Sequence, residues 1–213
     1  MRSDRPRYIA VEGPIGAGKS SLAEILSVEL QARIIRESPE ENPFLGAFYK
    51  DRKRHAMSAQ LFFLLQRYAQ QGELAQDDLF SRGGVVSDYL FSKDRLFASL
   101  NLSDDELALY DRIYQMLKPR TVVPDLVVYL QARTDVLLER IHKRGRAEEK
   151  PIRAEYVEEV ARAYADFFFS YDEGPLLIVN ASNIDFVGNE QHRKELVEVI
   201  RTTRTGTSHW SRG

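Results

Sequence analysis

Gly13-Pro14-Ile15-Gly16-Ala17-Gly18-Lys19-Ser20 is the stretch on which the reading of this chain turns. It satisfies the pattern G-x-x-x-x-G-K-[ST], follows the short apolar run Tyr8 to Val11, and opens through Ser21 and Leu22 onto a helical pattern that runs to Leu30. That strand-to-helix context is what phosphate binding requires. Glycines let successive backbone N–H groups turn inward around phosphate oxygens, and the helix N-terminus adds positive dipole at the same point. Residues 13 to 21 are therefore expected to cradle a nucleoside triphosphate, with Lys19 on the β- and γ-phosphates and the Ser20 hydroxyl on Mg²⁺. The plainer alternative is a glycine-rich turn that merely starts a helix. A full match in this context arises by chance about once in a hundred such chains or less.

Outward from the loop, short apolar runs alternate with helical stretches. Arg33 to Ile35 precedes Met57 to Gly72, Val85 and Val86 precede Asp88, Leu126 to Leu130 precedes Thr134 to Arg144, and Leu176 to Val179 follows Ala154 to Tyr171. Five short strands separated by helices of crossover length predict a three-layer α/β fold around a five-stranded parallel sheet. Ligands in such sheets sit at the C-terminal strand ends. Ser103 with Glu106 makes a capping box before a Leu107 to Leu117 helix, and Pro119 follows its end. No repeat, low-complexity segment or linker divides the chain, so residues 1–213 are expected to form one domain, with the polar tail from Thr205 to Gly213 frayed.

Composition narrows the class. With 213 residues, 43% of them hydrophobic, the chain can bury a core of its own. Its 30 basic and 32 acidic residues nearly cancel, which argues against a nucleic-acid or anionic-membrane surface and makes any anion binding local. The absence of cysteine excludes disulfides and thiolate metal sites and agrees with a reducing cytoplasm. Met1 to Arg7 is polar and basic, unlike a signal peptide, and no later run has bilayer-spanning length, so a soluble cytoplasmic protein is expected.

Several residues beyond the loop carry chemistry. Asp88 closes the run Gly84-Val85-Val86-Ser87 and suits Mg²⁺ ligation, or else caps the following helix. Glu37 ends Arg33-Ile34-Ile35-Arg36. Beside a γ-phosphate it could take the proton of an attacking hydroxyl, and otherwise it is a solvated glutamate entering a loop. A hydroxyl acceptor must lose a proton during transfer whereas a phosphate acceptor is already anionic, so Glu37 favours a nucleoside over a nucleotide. Arg140 and Arg144 share a helix face and Gly145 lets Arg146 turn back. Such a segment, about 141–153, can act as an arginine-rich lid over a transferring phosphoryl group, or as a solvated basic helix end. Gln60 and Arg67 lie two turns apart on one face of a helix whose Leu61, Phe62, Leu64 and Leu65 also mark it as core. The Asn-Lys-x-Asp segment of GTPase switches is missing.

Together these residues resemble the deoxynucleoside kinases, over nearly the whole chain from Tyr8 to about Phe186. The resemblance rests on Gly13 to Ser21, Glu37-Ser38-Pro39 with Asn42-Pro43-Phe44, the Gln60 to Arg67 helix, Asp88 to Arg95, and Arg140 to Glu149. It implies that Glu37 is the general base for a 5′-hydroxyl, that Tyr49 and Glu149 meet the sugar 3′-hydroxyl, and that Gln60 makes a bidentate bond to the base. Arg67 and Asp94 match the pair found in purine- and cytosine-using members. Arg140, Arg144 and Arg146 match the lid arginines, and Asp185 with Phe186 resembles the segment whose backbone meets the donor base. One departure is plain: where many members have an acidic residue followed by Arg and Ser, this chain reads Asp88-Tyr89-Leu90, and Arg95 is the suggested stand-in.

The reading that follows is an ATP- and Mg²⁺-dependent kinase that makes a deoxynucleoside 5′-monophosphate, most simply from deoxyadenosine or deoxyguanosine, with deoxycytidine as a further acceptor left open. The resemblance implies a homodimer, for which the apolar 57 to 72 and 103 to 117 segments would serve, although burial within one chain explains their pattern equally well. Two rivals stay open: a thymidylate-like nucleoside monophosphate kinase on the same fold, and a regulatory P-loop protein that binds nucleotide without phosphorylating a small molecule.

Overall fold

In the computed structural model, which describes residues 8–77 and 84–212, the chain forms a parallel sheet covered by helices on both faces. Met1 to Arg7 lies outside the described residues. The strands are β1 (Tyr8–Glu12), β2 (Arg33–Ile35), β3 (Val85–Ser87), β4 (Leu126–Gln131), β5 (Leu176–Asn180) and β6 (Thr207–Trp210). The helices are α1 (Lys19–Glu29), α2 (Leu45–Lys50), α3 (Arg52–Asp77), α4 (Lys93–Asn101), α5 (Asp104–Leu117), α6 (Thr134–Arg144), α7 (Ala154–Phe169) and α8 (Glu190–Thr202). The sheet order is β2-β3-β1-β4-β5-β6, with every pairing parallel.

Six strands, not five, make the sheet, and the sixth comes from the tail expected to fray. β6 pairs with β5 from Leu176↔Thr207 to Val179↔Trp210. Thr-Ser-His-Trp carries no apolar run because only one face of this short edge strand is covered. Its exposure alternates accordingly, and Trp210 packs against the core while Thr207 and His209 face out. The central strands read as continuous apolar runs because both of their faces are covered. In β1, Ile9 and Val11 join a core with Leu22 and Leu26 of α1, Leu137 of α6 and Ile200 of α8. Tyr8 and Ala10 face the opposite core, with Phe48 of α2, Ala59 of α3, Leu96 of α4 and Tyr164 of α7. The predicted capping box is present at Ser103 and Glu106, where α5 begins.

This topology places the site. The chain leaves β1 towards β2 and leaves β3 towards β4, on opposite sides of the sheet, so a crevice opens beyond the C-terminal ends of β1 and β3. The 13–20 loop and Asp88 follow those two ends.

Candidate active site

At the end of β1 the loop folds back on itself, with the Ala17 N–H donating to the Pro14 carbonyl at 3.1 Å. Its glycines are required by geometry. A Cβ on Gly13 would lie 2.5 Å from the Leu130 carbonyl oxygen, and one on Gly18 (φ 101°) would lie 3.0 Å from the Phe186 ring, in a left-handed conformation that side chains resist. Lys19 Nζ donates to the Gly13 and Pro14 carbonyls at 2.9 and 3.2 Å, poised along the loop. Burial, with the nearby Lys93 charge second, lowers the Lys19 ammonium to about 8. The Ser20 hydroxyl donates to Asp88 Oδ2 at 2.7 Å, while Asp88 Oδ1 accepts the Glu37 backbone N–H at 2.7 Å. Asp88 thus joins the ends of β1, β2 and β3.

These groups open onto a cavity of about 350 Å³ lined, among others, by Gly16, Lys19, Ser20, Glu37, Asp88 and Lys93 at one end and by Tyr49, Gln60, Phe63 and Arg67 further in. Glu37 is held by cations on both carboxylate oxygens. Arg67 donates through Nε (2.9 Å) and Nη2 to Oε1, and Lys93 Nζ donates to Oε2 at 3.2 Å. Burial alone would raise the Glu37 carboxyl, but Arg67, then Lys93 and Lys19, hold it far below the usual carboxylate range. It is ionised at every physiological pH. Arg67 Nη1 also stands 2.6 Å from Asp94 Oδ2, so one buried guanidinium spans the two carboxylates. Burial pushes the Asp94 carboxyl up while Arg67 opposes it. Gln60, only 4% exposed, has its Oε1 without a hydrogen-bond partner.

The lid residues divide. Gly145 ends α6, and a short 3₁₀ turn, Ala147–Glu149, packs against α2, the helix that carries Tyr49. Arg144 reaches Glu149 through Nη2 at 2.5 Å and Nε at 3.2 Å, and both line the cavity with Arg146. Arg140 is not brought in: it donates to the Ala181 carbonyl at 2.8 Å and the Ala17 carbonyl at 3.4 Å, bracing the back of the phosphate loop. Asp185 and Phe186 also lie behind that loop, Asp185 accepting the Val187 and Gly188 N–H groups and Phe186 packed on Gly18. Asp94 reaches the cavity only through Arg67.

The stand-in for the missing arginine is not Arg95. Arg95 is half exposed, pairs with Asp111 at 3.0 and 3.1 Å, and lines a separate hollow with Tyr114 and Lys118. Lys93 occupies the phosphate end instead, behind it the fully buried Glu12, whose Oε1 accepts the Gly13 N–H at 3.0 Å and the Tyr164 hydroxyl at 2.8 Å and whose Oε2 accepts the Leu90 N–H at 2.7 Å. Sequence reading passed over both. The available signals were a carboxylate interrupting an apolar strand beside a glycine loop, and a lysine directly after Leu90-Phe91-Ser92.

With this geometry in place, comparison with known proteins is decisive. The family model described as "Deoxynucleoside kinase" matches residues 9–204. The chain belongs to the deoxynucleoside kinase family. It is 35% identical to the deoxyguanosine kinase of Bacillus subtilis (strain 168) over 201 residues, covering 89% of this chain and 97% of that one. It is 31% identical to the deoxyadenosine kinase of Lactobacillus acidophilus over 208 residues, covering 91% and 94%. A solved structure of deoxyadenosine kinase from M. mycoides with bound dCTP superposes with a TM-score of 0.77 at 27% identity, covering 91% of this chain and 98% of that one. The protein is therefore a phosphotransferase of this family, which acts on small-molecule nucleosides.

The residues at the phosphate end fit a magnesium ion. Ser20 and Asp88 offer adjacent hard oxygens, and among the described residues no cluster of three or more His, Asp or Glu is arranged to enclose a metal. Two protein oxygens, with phosphate and water supplying the rest, suit Mg²⁺ better than an all-protein cage.

Proposed function

We propose that the protein transfers the γ-phosphoryl group of ATP to the 5′-hydroxyl of a deoxynucleoside, deoxyadenosine or deoxyguanosine being the acceptor, with Glu37 as general base. The observation that carries this reading is the Glu37 carboxylate standing in one cavity with Lys19, Ser20 and Asp88. A carboxylate there serves a hydroxyl acceptor and would repel a phosphate one. The purine preference draws on Gln60 and Arg67 at the inner end of the cavity and on the relatives named above as deoxyguanosine and deoxyadenosine kinases.

Lys19 and the amides of the 13–20 loop hold the donor phosphates. Mg²⁺, held by Ser20 and Asp88, would offset the phosphate charge. Gln60 both donates and accepts and so can read a base edge, and Tyr49 with Glu149 fits the sugar. The hydroxyl oxygen attacks in line, the bond from γ-phosphorus to the bridging oxygen breaks, and the hydroxyl proton passes to Glu37 Oε2, which has a single long contact and so keeps a free lone pair. A base held so low suits a loose transition state, in which the proton is lost late, once the oxygen has begun to bond phosphorus. Arg144 and Arg146 at the rim stabilise charge on the transferring group when the 141–153 segment closes, and Arg140 steadies the loop from behind.

A homodimer through the long helices is part of this reading. It draws on Leu65 of α3 and on Leu109 and Met116 of α5, large apolar side chains that stand exposed. A cytoplasmic setting draws on the kinase chemistry and the cysteine-free sequence. No helix among the described residues is long and apolar enough to cross a membrane.

The test is incubation of purified protein with labelled ATP, Mg²⁺ and each deoxynucleoside or its monophosphate, with Glu37→Gln in parallel. Monophosphate from deoxyadenosine or deoxyguanosine, lost in the variant, is the expected result. Diphosphate formed only from monophosphates would overturn the acceptor assignment, and no product from any acceptor would point to a nucleotide-binding regulator.

A further inference from the structure

Glu37 has little backbone to hold it. It lies beyond the three-residue edge strand β2 and leads into Ser38-Pro39, its N–H tied only to Asp88. A catalytic carboxylate has to stay within a fraction of an ångström of its working position, because a displacement of about 1 Å can cost about 100-fold in rate. The two cations on its carboxylate must supply that hold, and they differ in what stands behind them. Arg67 is shared with Asp94 and lies at the inner end of the cavity, beside Gln60, where the acceptor base would compete for it. Lys93 is backed by the buried Glu12.

Lys93 is the first residue of α4 and is 2% exposed. An ammonium so deeply placed needs anionic partners, and it has two: Glu37 Oε2 at 3.2 Å and Glu12 Oε1 at 3.6 Å. Glu12 is fully buried and fixed by three hydrogen bonds, from the first residue of the phosphate loop, from the segment after β3 and from the Tyr164 hydroxyl of α7. Glu12 therefore cannot follow Lys93; Lys93 must stay with it. The sequence of contacts runs from the rigid frame through Glu12 and Lys93 to the catalytic carboxylate.

We propose that Lys93, clamped by Glu12, is a positioning residue that holds the Glu37 carboxylate at the phosphate end of the cavity throughout turnover. The inference rests on the reading of Glu37 as the base. It assigns the work of the absent post-Asp88 arginine to a side chain five positions after Asp88. When Glu37 takes the proton its attraction for Lys93 falls, and the ammonium stays paired with Glu12, ready to hold the carboxylate again once the proton is lost. No co-reactant is required beyond donor and acceptor.

The test compares Lys93→Met, Lys93→Gln and Lys93→Arg with the unaltered protein, in steady-state kinetics and in crystal structures. Lys93→Gln keeps a donor towards Glu12 and is the variant to rely on if Lys93→Met does not fold. The expected result is a fall in kcat of about 100-fold for Lys93→Met, with the KM for the acceptor within about threefold. Lys93→Gln should fall between, and Lys93→Arg should recover to within about tenfold of the unaltered protein. In the crystal structure of the Met or Gln variant, the Glu37 carboxylate should be displaced by about 1 Å or more. A kcat within threefold of the unaltered protein, a change confined to KM, an Arg variant no better than the Met one, or an unmoved Glu37 carboxylate would each overturn the proposal. If the unaltered protein phosphorylates no deoxynucleoside, the proposed function fails, and the position of Glu37 in the variant structures still decides what Lys93 does.

Discussion

The two ends of the cavity are finished to different degrees. At the phosphate end, Lys19 lies on loop carbonyls, Ser20 on Asp88, Asp88 on the Glu37 N–H, and Lys93 between two carboxylates. At the inner end, Gln60 presents a buried amide oxygen with no partner, and Arg67 is divided between Glu37 and Asp94. An unpaired buried polar atom costs of the order of 1–3 kcal/mol, and Gln60 belongs to the cavity lining, where a ligand can satisfy its amide oxygen. The phosphate end is assembled before any ligand arrives, because phosphate is common to every donor. On the proposed function the inner end is the part that the acceptor completes, and so the place where acceptors are told apart.

The sharpest way to break this contrast is to remove one group from each end. Glu37→Gln keeps shape and removes the proposed base, and kcat should fall by about 100- to 10,000-fold with the KM for ATP within a few fold. Gln60→Leu should act on the other axis, raising the KM for a purine deoxynucleoside by about 10- to 150-fold, as expected for 1–3 kcal/mol of lost hydrogen bonding, while ATP binding stays unchanged. Because Gln60 Oε1 has no partner, this variant should unfold no more easily than the unaltered protein, which thermal denaturation without ligand will show. A clear loss of stability would mean that the inner end is structural and that the contrast is mistaken.

How far each end could be read from the sequence follows from the same difference. The phosphate loop is contiguous, and its strand-before, helix-after context is local, so Gly13 to Ser20 declared itself. Glu37 and Asp88 were legible as carboxylates closing apolar runs, and parallel pairing brought their ends together. Lys93 and Glu12 left only faint local signals, because what makes a buried charge acceptable is a partner from another element, here β1 against α4, and no spacing rule encodes that. β6 was missed for a related reason: an edge strand is set by its neighbour more than by its own pattern. Arg140 and Arg144 share a helix face, yet only Arg144 reaches the cavity, since the 13–20 loop and the 181 carbonyl take the other guanidinium.

A pH titration sharpens the phosphate end. Burial foremost, and Lys93 next, lower the Lys19 ammonium from its ordinary 10.5 to about 8. Because the folded value is depressed, the cation is present below about 8 and is lost as pH rises through that value. Phosphate needs the cation. ATP affinity by calorimetry should therefore be flat below about pH 8 and weaken by up to tenfold per unit above it. Lys19→Arg, which stays charged across this range, should remove that dependence even if its affinity is lower. Affinity of the unaltered protein that stays constant to pH 9.5 would mean that the ammonium is not desolvated as the structure indicates.

The smallest expected effect tests the boundary of the site. Arg95 is two residues from Lys93 on α4, and at about 100° per residue the two side chains leave the helix on nearly opposite sides. Lys93 enters the cavity. Arg95 pairs with Asp111 of α5 at a site where its side chain is 50% exposed, and exposed pairs contribute about 0–1 kcal/mol. Arg95→Ala should therefore leave kcat and both KM values within about twofold and lower stability by no more than about 1 kcal/mol. A tenfold fall in kcat would mean that α4 turns in the working enzyme so that Arg95 faces the phosphates, and the division between a finished phosphate end and Lys93 as its innermost cation would have to be redrawn around that motion.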